Sequence, residues 1–218
     1  MYKVAIFDLD GTLLDTLKDL ADACNFALKL YGFPEYEIEE YRYFLGGGAY
    51  KLIERALPID KRDAETIEKV LAEFKRYYEK HKSDFTKPYD GIEELLIALK
   101  KAGIKTAVVS NKPHEFAIEI VERYFAKSFD IVFGKREGYL AKPDPTTVIE
   151  TLNYFECKKE EAIYIGDSDV DMFTGKNAGI FSIGVAWGFR GAKELATAGA
   201  DKIVYTSEEL LSEIIKEC

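Results

Sequence analysis

The stretch Val4-Ala5-Ile6-Phe7-Asp8-Leu9-Asp10-Gly11-Thr12 decides how the chain reads. Residues 2–7 form a short apolar run that stops at two aspartates and a glycine. Such a run, bounded by turn chemistry, predicts a buried strand opening into a turn. Beyond it the period changes. Leu17, Leu20, Ala21, Cys24, Ala27, Leu28 and Tyr31 recur every three or four residues, one face of an amphipathic helix. Thr16 is the expected N-cap, Asp19 suits the first turn, and Gly32 and Pro34 end the helix. A second stripe runs from Ala64 through Ile67, Val70, Leu71, Phe74, Tyr77 and Tyr78 to His81. A looser segment containing Gly46-Gly47-Gly48 separates the two, so residues 15–87 read as helical without a strand.

The remainder alternates. Strand-like runs cover Thr106–Val109, Phe129–Phe133, Ala162–Ile165, Ser182–Val185 and Ile203–Tyr205. Helical patterns cover Ile92–Lys101, Phe116–Phe125, Pro145–Phe155, Val170–Asn177, Ala192–Thr197 and Glu208–Lys216. Ala102-Gly103, Ala178-Gly179 and Ala198-Gly199 each close a helix before the next strand, as a left-handed glycine does. Alternation with short links predicts an α/β fold, a doubly wound and mainly parallel sheet with both faces covered. The expected domains are residues 1–14 with 88–218 for the α/β core, and 15–87 for a helical insertion after the first strand.

Composition excludes several classes of function. With 47% hydrophobic and 32% charged residues, the 218-residue chain is ordinary for a globular protein. No apolar run reaches the ~20 residues that span a bilayer, and Asp8 comes too early for a signal peptide. A net charge of −9 argues against a nucleic-acid partner but leaves a small anionic substrate open. Cys24, Cys157 and Cys218 are far apart without CxxC spacing, which predicts a reduced, cytoplasmic protein rather than a zinc or disulfide scaffold. Cys218 reads as a frayed terminus. Only His81 and His114 exist, so acid–base chemistry falls to carboxylates.

In parallel α/β sheets, ligands bind beyond the carboxyl ends of the strands. Asp8 and Asp10 follow the first strand, Ser110-Asn111 the second, and Gly166-Asp167-Ser168-Asp169-Val170-Asp171 the fourth. Lys142 precedes Pro143-Asp144-Pro145. If the sheet is parallel, these groups converge on one cleft. A carboxylate cluster with one lysine suggests a hard divalent cation, magnesium, held by carboxylates and a substrate phosphate. Each piece alone has a plainer reading, as a turn or a helix cap; the set in this order does not.

Asp8-Leu9-Asp10-Gly11-Thr12, Ser110, Lys142 and Gly166–Asp171 resemble the four motifs of the haloacid dehalogenase superfamily. The likeness covers the whole chain, including a helical cap after the first motif. Ser110-Asn111-Lys112-Pro113, Tyr139-Leu140-Ala141-Lys142-Pro143, Trp187-Gly188-Phe189-Arg190 and Ala198-Gly199-Ala200-Asp201 look most like its phosphoglycolate phosphatase group. The resemblance implies Asp8 as nucleophile and Asp10 as general acid and base. It implies Mg2+ held by Asp8, Asp167 and the carbonyl of Asp10, with Asp171 and Ser168 around that shell. Ser110 and Asn111 would bind phosphate, and Lys142 would pair with Asp8 and the phosphoryl group. Asp10 favours phosphoryl transfer over carbon–halogen cleavage, because dehalogenases of the superfamily lack that aspartate. A phosphonate hydrolase would need a cap lysine as Schiff base, and nothing marks Lys29 or Lys51 for that role.

The implied substrate is a small phosphorylated metabolite, with no nucleic acid and no membrane as partner. Gly47 would let backbone approach it, and Arg42, Lys51 and Arg55 would meet a carboxylate or else form a solvated face. Lys112 and His114 line the approach or simply begin a helix. A phosphosugar mutase of the beta-phosphoglucomutase kind and a pyrophosphatase are the alternatives within the superfamily. A non-catalytic binding module would carry a damaged motif, and all four are intact.

Overall fold

The computed structural model describes residues 2–216, so Cys218 lies outside the described residues. The chain divides into two compact units, one containing the residues up to Leu14 and those from Pro88 onward, the other Asp15–Lys87. Among the described residues no helix is long and apolar enough to cross a membrane.

Within Asp15–Lys87, helices α1 (Leu17–Leu30), α2 (Ala49–Ala56) and α3 (Ala64–His81) pack together. The stripes read from the sequence are the buried faces: Leu20, Cys24, Ala27 and Leu28 from α1, and Ile67, Val70, Leu71, Phe74 and Tyr78 from α3. Asp63 caps α3 by accepting from the Thr66 N–H at 3.0 Å. The looser segment holds a 3-10 turn at Ile38–Tyr43, and Arg55 donates to the carbonyls of Phe44 and Leu45 at 3.0 Å, fixing the chain just before the three glycines. One expectation is corrected here. Thr16 stands at the start of α1, but its hydroxyl makes no capping bond and Oγ1 is buried without a hydrogen bond. Asp19 stands in the first turn of α1, as expected, and has a second use. It is buried and accepts from the N–H of Phe85 (3.0 Å), the N–H of Thr86 (2.9 Å) and the Thr86 hydroxyl (2.7 Å).

The other unit is built on six strands: β1 (Val4–Phe7), β2 (Lys105–Pro113), β3 (Ile131–Lys135), β4 (Ala162–Gly166), β5 (Phe181–Val185) and β6 (Lys202–Val204). They form one sheet in the order β3-β2-β1-β4-β5-β6, every neighbouring pair parallel. Helices α4 (Ile92–Lys101), α5 (His114–Phe125), α6 (Thr146–Tyr154), α7 (Asp169–Ala178), α8 (Gly191–Ala198) and α9 (Ser207–Ile215) complete it. Side chains alternate between faces, as the strand period requires. Ala5, Phe7, Val108, Ile163 and Ile165 pack with Leu95 and Leu99 of α4, Ile120 of α5 and Leu210 of α9. Val4, Ile6, Ala107, Val109 and Tyr164 pack with Val148 and Leu152 of α6. Both faces being covered explains why β1 is a continuous apolar run. Each fully buried Ile or Phe contributes about 1.5–3 kcal/mol.

Several strand limits shift by one residue from the sequence reading, and two shift further. β3 begins at Ile131, because the Phe129 ring packs edge-on against Phe7 and Phe125 at 6.0 Å instead of joining the ladder. β2 runs on to Pro113, with a shift of register between Val109 and Pro113. The chain moves outward from β1 to β2 and β3, then returns to place β4 on the other side of β1. The order reverses there, and at such a reversal a crevice opens at the strand ends.

The Asp19 contacts make a specific demand. Asp19→Ala leaves the buried Thr86 N–H and the half-buried Phe85 N–H without their acceptor and should lower unfolding stability by about 2 kcal/mol, with Asp19→Asn losing less. Urea unfolding of the full chain measures this; an unchanged midpoint would remove the clasp from the energetics of the helical unit.

Candidate active site

Asp8 leaves the end of β1, where its N–H donates to the Ile165 carbonyl at 2.9 Å. The chain then turns sharply, with the N–H groups of Leu13 and Leu14 on the Leu9 carbonyl at 3.0 and 3.1 Å. Asp167 follows β4, and Asp171 lies in the first turn of α7. Oxygens of Asp8, Asp167 and Asp171 all lie within 4.8 Å of one another, and all three residues are buried.

Lys142 Nζ sits among them, 2.8 Å from Asp8 Oδ1 and 2.7 Å from Asp171 Oδ1, with its side chain 4% exposed. It also donates to the Tyr164 hydroxyl at 3.1 Å, and Tyr164 in turn donates to the Val109 carbonyl at 3.2 Å. The other oxygen of Asp171 accepts from the Ser168 hydroxyl (2.6 Å), the Ser168 N–H (3.1 Å) and the Asp167 N–H (3.2 Å). Both oxygens of Asp171 are thus engaged, and it orients the lysine from behind. Asp167 accepts from the Thr12 hydroxyl at 3.1 Å and the Phe189 N–H at 2.8 Å. Asp8 Oδ1 is buried and, though close to the ammonium, is not aligned for a hydrogen bond with it.

Electrostatics follow from this crowding. Burial pushes the Asp8 carboxyl up to about 7, against the pull of Lys142, while Asp171 and Asp10 add repulsion. Burial, with Asp171 and Asp8 nearby, holds Asp167 well above the usual carboxylate range. Burial alone would lower Lys142, but Asp171 and Asp8 outweigh it and keep the ammonium charged. Three buried carboxylates facing one ammonium, one of their oxygens without a hydrogen bond, fit a hard divalent cation such as magnesium. Asp8 and Asp167 could hold it, while Asp171 already carries the Lys142 ammonium on one oxygen and three donors on the other.

The remaining candidates separate into those near this cluster and those engaged elsewhere. Asp10 is the most open site carboxylate, 21% exposed, and Lys112 Nζ lies 2.9 and 3.1 Å from its two oxygens. Ser110, in β2 just past Val109, is buried and its Oγ accepts from the Lys112 N–H at 3.3 Å. The Asn111 side chain is used as a brace: it accepts from the Lys142 N–H at 2.8 Å and donates to the Lys142 carbonyl at 3.2 Å. The expectation that Asn111 binds phosphate therefore rests on its backbone. His114 accepts at Nδ1 from the Gly134 N–H. In the helical unit, Arg42 pairs with Glu39 and Lys51 with Glu54, each within its own helical turn, and Arg55 holds carbonyls. Gly47 allows the chain to lie against Lys51, whose Cβ would be 2.9 Å from an added methyl. The solvated or structural alternative thus describes the side chains of Arg55 and Lys51 better than a substrate contact does.

Five contributors were given no role of their own from the sequence. Tyr164 carried a faint signal, a polar tip inside an apolar strand. Thr12 and Phe189 reach Asp167 through a hydroxyl and a backbone N–H, the second invisible to residue type. Gly188 matters by what it lacks: a Cβ there would lie 2.3 Å from Asp167 Cβ and 2.4 Å from the Gly11 carbonyl. Gly11, at φ +85°, faces the same carboxylate and would place a Cβ 2.3 Å from Asp167 Oδ2.

Comparison with known proteins gives a consistent set. The model of the family described as haloacid dehalogenase-like hydrolase matches residues 5–185. The phosphoglycolate phosphatase of Aquifex aeolicus is 38% identical over 188 residues, 86% of this chain and 86% of that protein. The N-acetylmuramic acid 6-phosphate phosphatase of Pseudomonas aeruginosa is 32% identical over 211 residues, 96% of this chain and 93% of that protein. A crystal structure from Lactobacillus delbrueckii subsp. bulgaricus superposes with a TM-score of 0.95 at 35% identity, covering 99% of both chains.

Two outcomes follow from the cluster. A carboxyl raised from 3.8 to about 7 on folding holds a proton that the unfolded chain has released, so its contribution to stability is lost as pH rises through that interval. The metal-free protein should therefore melt higher near about pH 5 than near about pH 8, and millimolar Mg2+ should shrink the difference by favouring the ionised form. Melting curves in chelator and in Mg2+ test this; the same slope in both would separate the cation from the cluster. Gly188→Ala should displace Asp167 and weaken Mg2+ binding at least about tenfold by calorimetry, with the fold retained by circular dichroism.

Proposed function

The chain belongs to the haloacid dehalogenase-like hydrolase family, and we propose on that premise that it hydrolyses a small phosphomonoester by way of an aspartyl-phosphate on Asp8. The observation that carries this reading is the Asp8 carboxylate at the reversal of the sheet, 2.8 Å from a buried ammonium and with one oxygen free of hydrogen bonds. A carboxylate in that position is oriented by the ammonium and kept from water, and no hydrogen bond ties down the oxygen that faces Lys142.

The residues divide the work. The Asp8 carboxylate attacks phosphorus, and the ester oxygen leaves with a proton from the Asp10 carboxyl. Asp10, now ionised, takes a proton from the water that attacks the aspartyl-phosphate, which releases phosphate and restores both groups. Lys142 fixes Asp8 and faces the phosphoryl oxygens as a point charge, while Asp171 and Tyr164 hold Lys142 in place. Ser110 Oγ and the backbone N–H groups near Leu9 and Asn111 supply hydrogen bonds to the phosphoryl group. A magnesium ion held by Asp8, Asp167 and the Asp10 carbonyl would supply positive charge that offsets the repulsion between carboxylate and phosphate. Residues 15–87 are the cap of this reading, the segment that selects the leaving group.

Phosphoglycolate and N-acetylmuramic acid 6-phosphate, the substrates that name two relatives, are both phosphorylated carboxylic acids. That shared chemistry supports the same class here, phosphoglycolate first. Free Cys24 and Cys157 support a reducing, cytoplasmic setting.

Phosphate release should be detectable with phosphoglycolate, stop with chelator and return with Mg2+. Asp8→Asn should cut turnover by at least about 10³-fold while the protein stays folded. A screen that includes sugar phosphates, nucleotides and pyrophosphate reads the substrate class. Undiminished turnover by Asp8→Asn would refute the nucleophile, and isomerised sugar phosphate in place of free phosphate would mark a mutase.

A further inference from the structure

The ion pair between Lys112 and Asp10 is not accounted for by the chemistry above. Lys112 lies near the end of β2, past the register shift between Val109 and Pro113. Ser110, Asn111 and Lys112 are consecutive yet all buried, where a regular strand would send alternate side chains to opposite faces. The Lys112 head is closed off, its side chain 3% exposed, whereas Asp10 keeps an open edge at 21%. A single ammonium spans both carboxylate oxygens at 2.9 and 3.1 Å. The backbone beside Asp10 is held separately, by a bridge to Leu14 and by the Gly11 N–H on the Leu14 carbonyl at 2.9 Å. The turn thus fixes where Asp10 starts, and Lys112 fixes where its carboxylate points.

We propose that Lys112 is a positioning residue, holding the Asp10 carboxylate toward the leaving group and so governing how well poor leaving groups are expelled. The inference rests on Asp10 being the general acid. When one Asp10 oxygen carries the proton that the ester oxygen takes, the other still accepts from Lys112 Nζ. When the carboxylate receives a proton from water, the same contact persists. The side chain therefore stays aimed through both half-reactions without Lys112 giving up a proton.

A misplaced acid harms substrates in proportion to their need for one. Phenyl phosphate needs a proton on its leaving oxygen, whereas p-nitrophenyl phosphate expels a stable anion; neither carries a carboxylate. Lys112→Met should lower kcat/KM for phenyl phosphate at least about tenfold more than for p-nitrophenyl phosphate, part of the 10²–10⁴-fold that general acid–base catalysis supplies. Lys112→Arg should recover part of the difference, and Lys112→Gln gives the same comparison should the methionine variant fail to fold. Equal losses on both substrates would overturn the proposal, as would a loss confined to phosphoglycolate, which would make Lys112 a reader of the carboxylate. Asp10→Asn is measured alongside. If that variant shows no dependence on the leaving group, the acid assignment itself fails; if it does and Lys112→Met does not, only the role of Lys112 fails.

Discussion

Burying Lys142 between Asp8 and Asp171 exchanges the hydration of three charges for contacts of 2.8 and 2.7 Å. Withdrawing each ion from water costs several kcal/mol, so the exchange is tolerable only when every proton and lone pair finds a partner. Much of the surrounding structure serves that condition. Tyr164 accepts from the ammonium alongside Asp171, and Asn111 grips the Lys142 backbone from both sides. Ser168 and two backbone N–H groups occupy the far oxygen of Asp171. Asp8 Oδ1, which faces the ammonium without a hydrogen bond, is the least engaged oxygen of that ion pair. Without the ammonium the cluster would be three carboxylates repelling one another in a low-dielectric pocket.

The sheet makes this cluster out of residues distant in sequence. Phe7 pairs with Val108 on one side and Ile165 on the other, so the groups that follow β1 and β4 emerge side by side. The reversal of strand order at β1 spreads the following chain to both sides and leaves the strand ends uncovered by a crossover. Strand β1, fully buried, is the rigid element on which Asp8 is mounted.

What the sequence disclosed divides along a physical line. Periodicity revealed the strands and helices, because burial on a face repeats with the element. Carboxylates following strands pointed to Asp8 and Asp167, which the fold brings together with Asp171. Interactions made by backbone stayed hidden: the Phe189 N–H on Asp167 depends on where a loop passes, not on the phenylalanine. Second uses of a residue also stayed hidden. The Asn111 side chain braces Lys142, and Asp19, in the first turn of α1 as expected, also holds Phe85 and Thr86. In both, the partner lies more than thirty positions or more away along the chain, beyond the reach of any local pattern.

The Asp19 contacts have a bearing on how such a chain tolerates an insertion at all. Opening a strand–turn junction to admit some seventy residues burdens the host with the entropy of a long loop, about 0.6 kcal/mol for every doubling of its length. Here the first helix of the guest seizes its own final residues, so the guest closes itself. A self-fastened insertion spares the host chain most of that cost, because its two ends are already held together before the strand resumes.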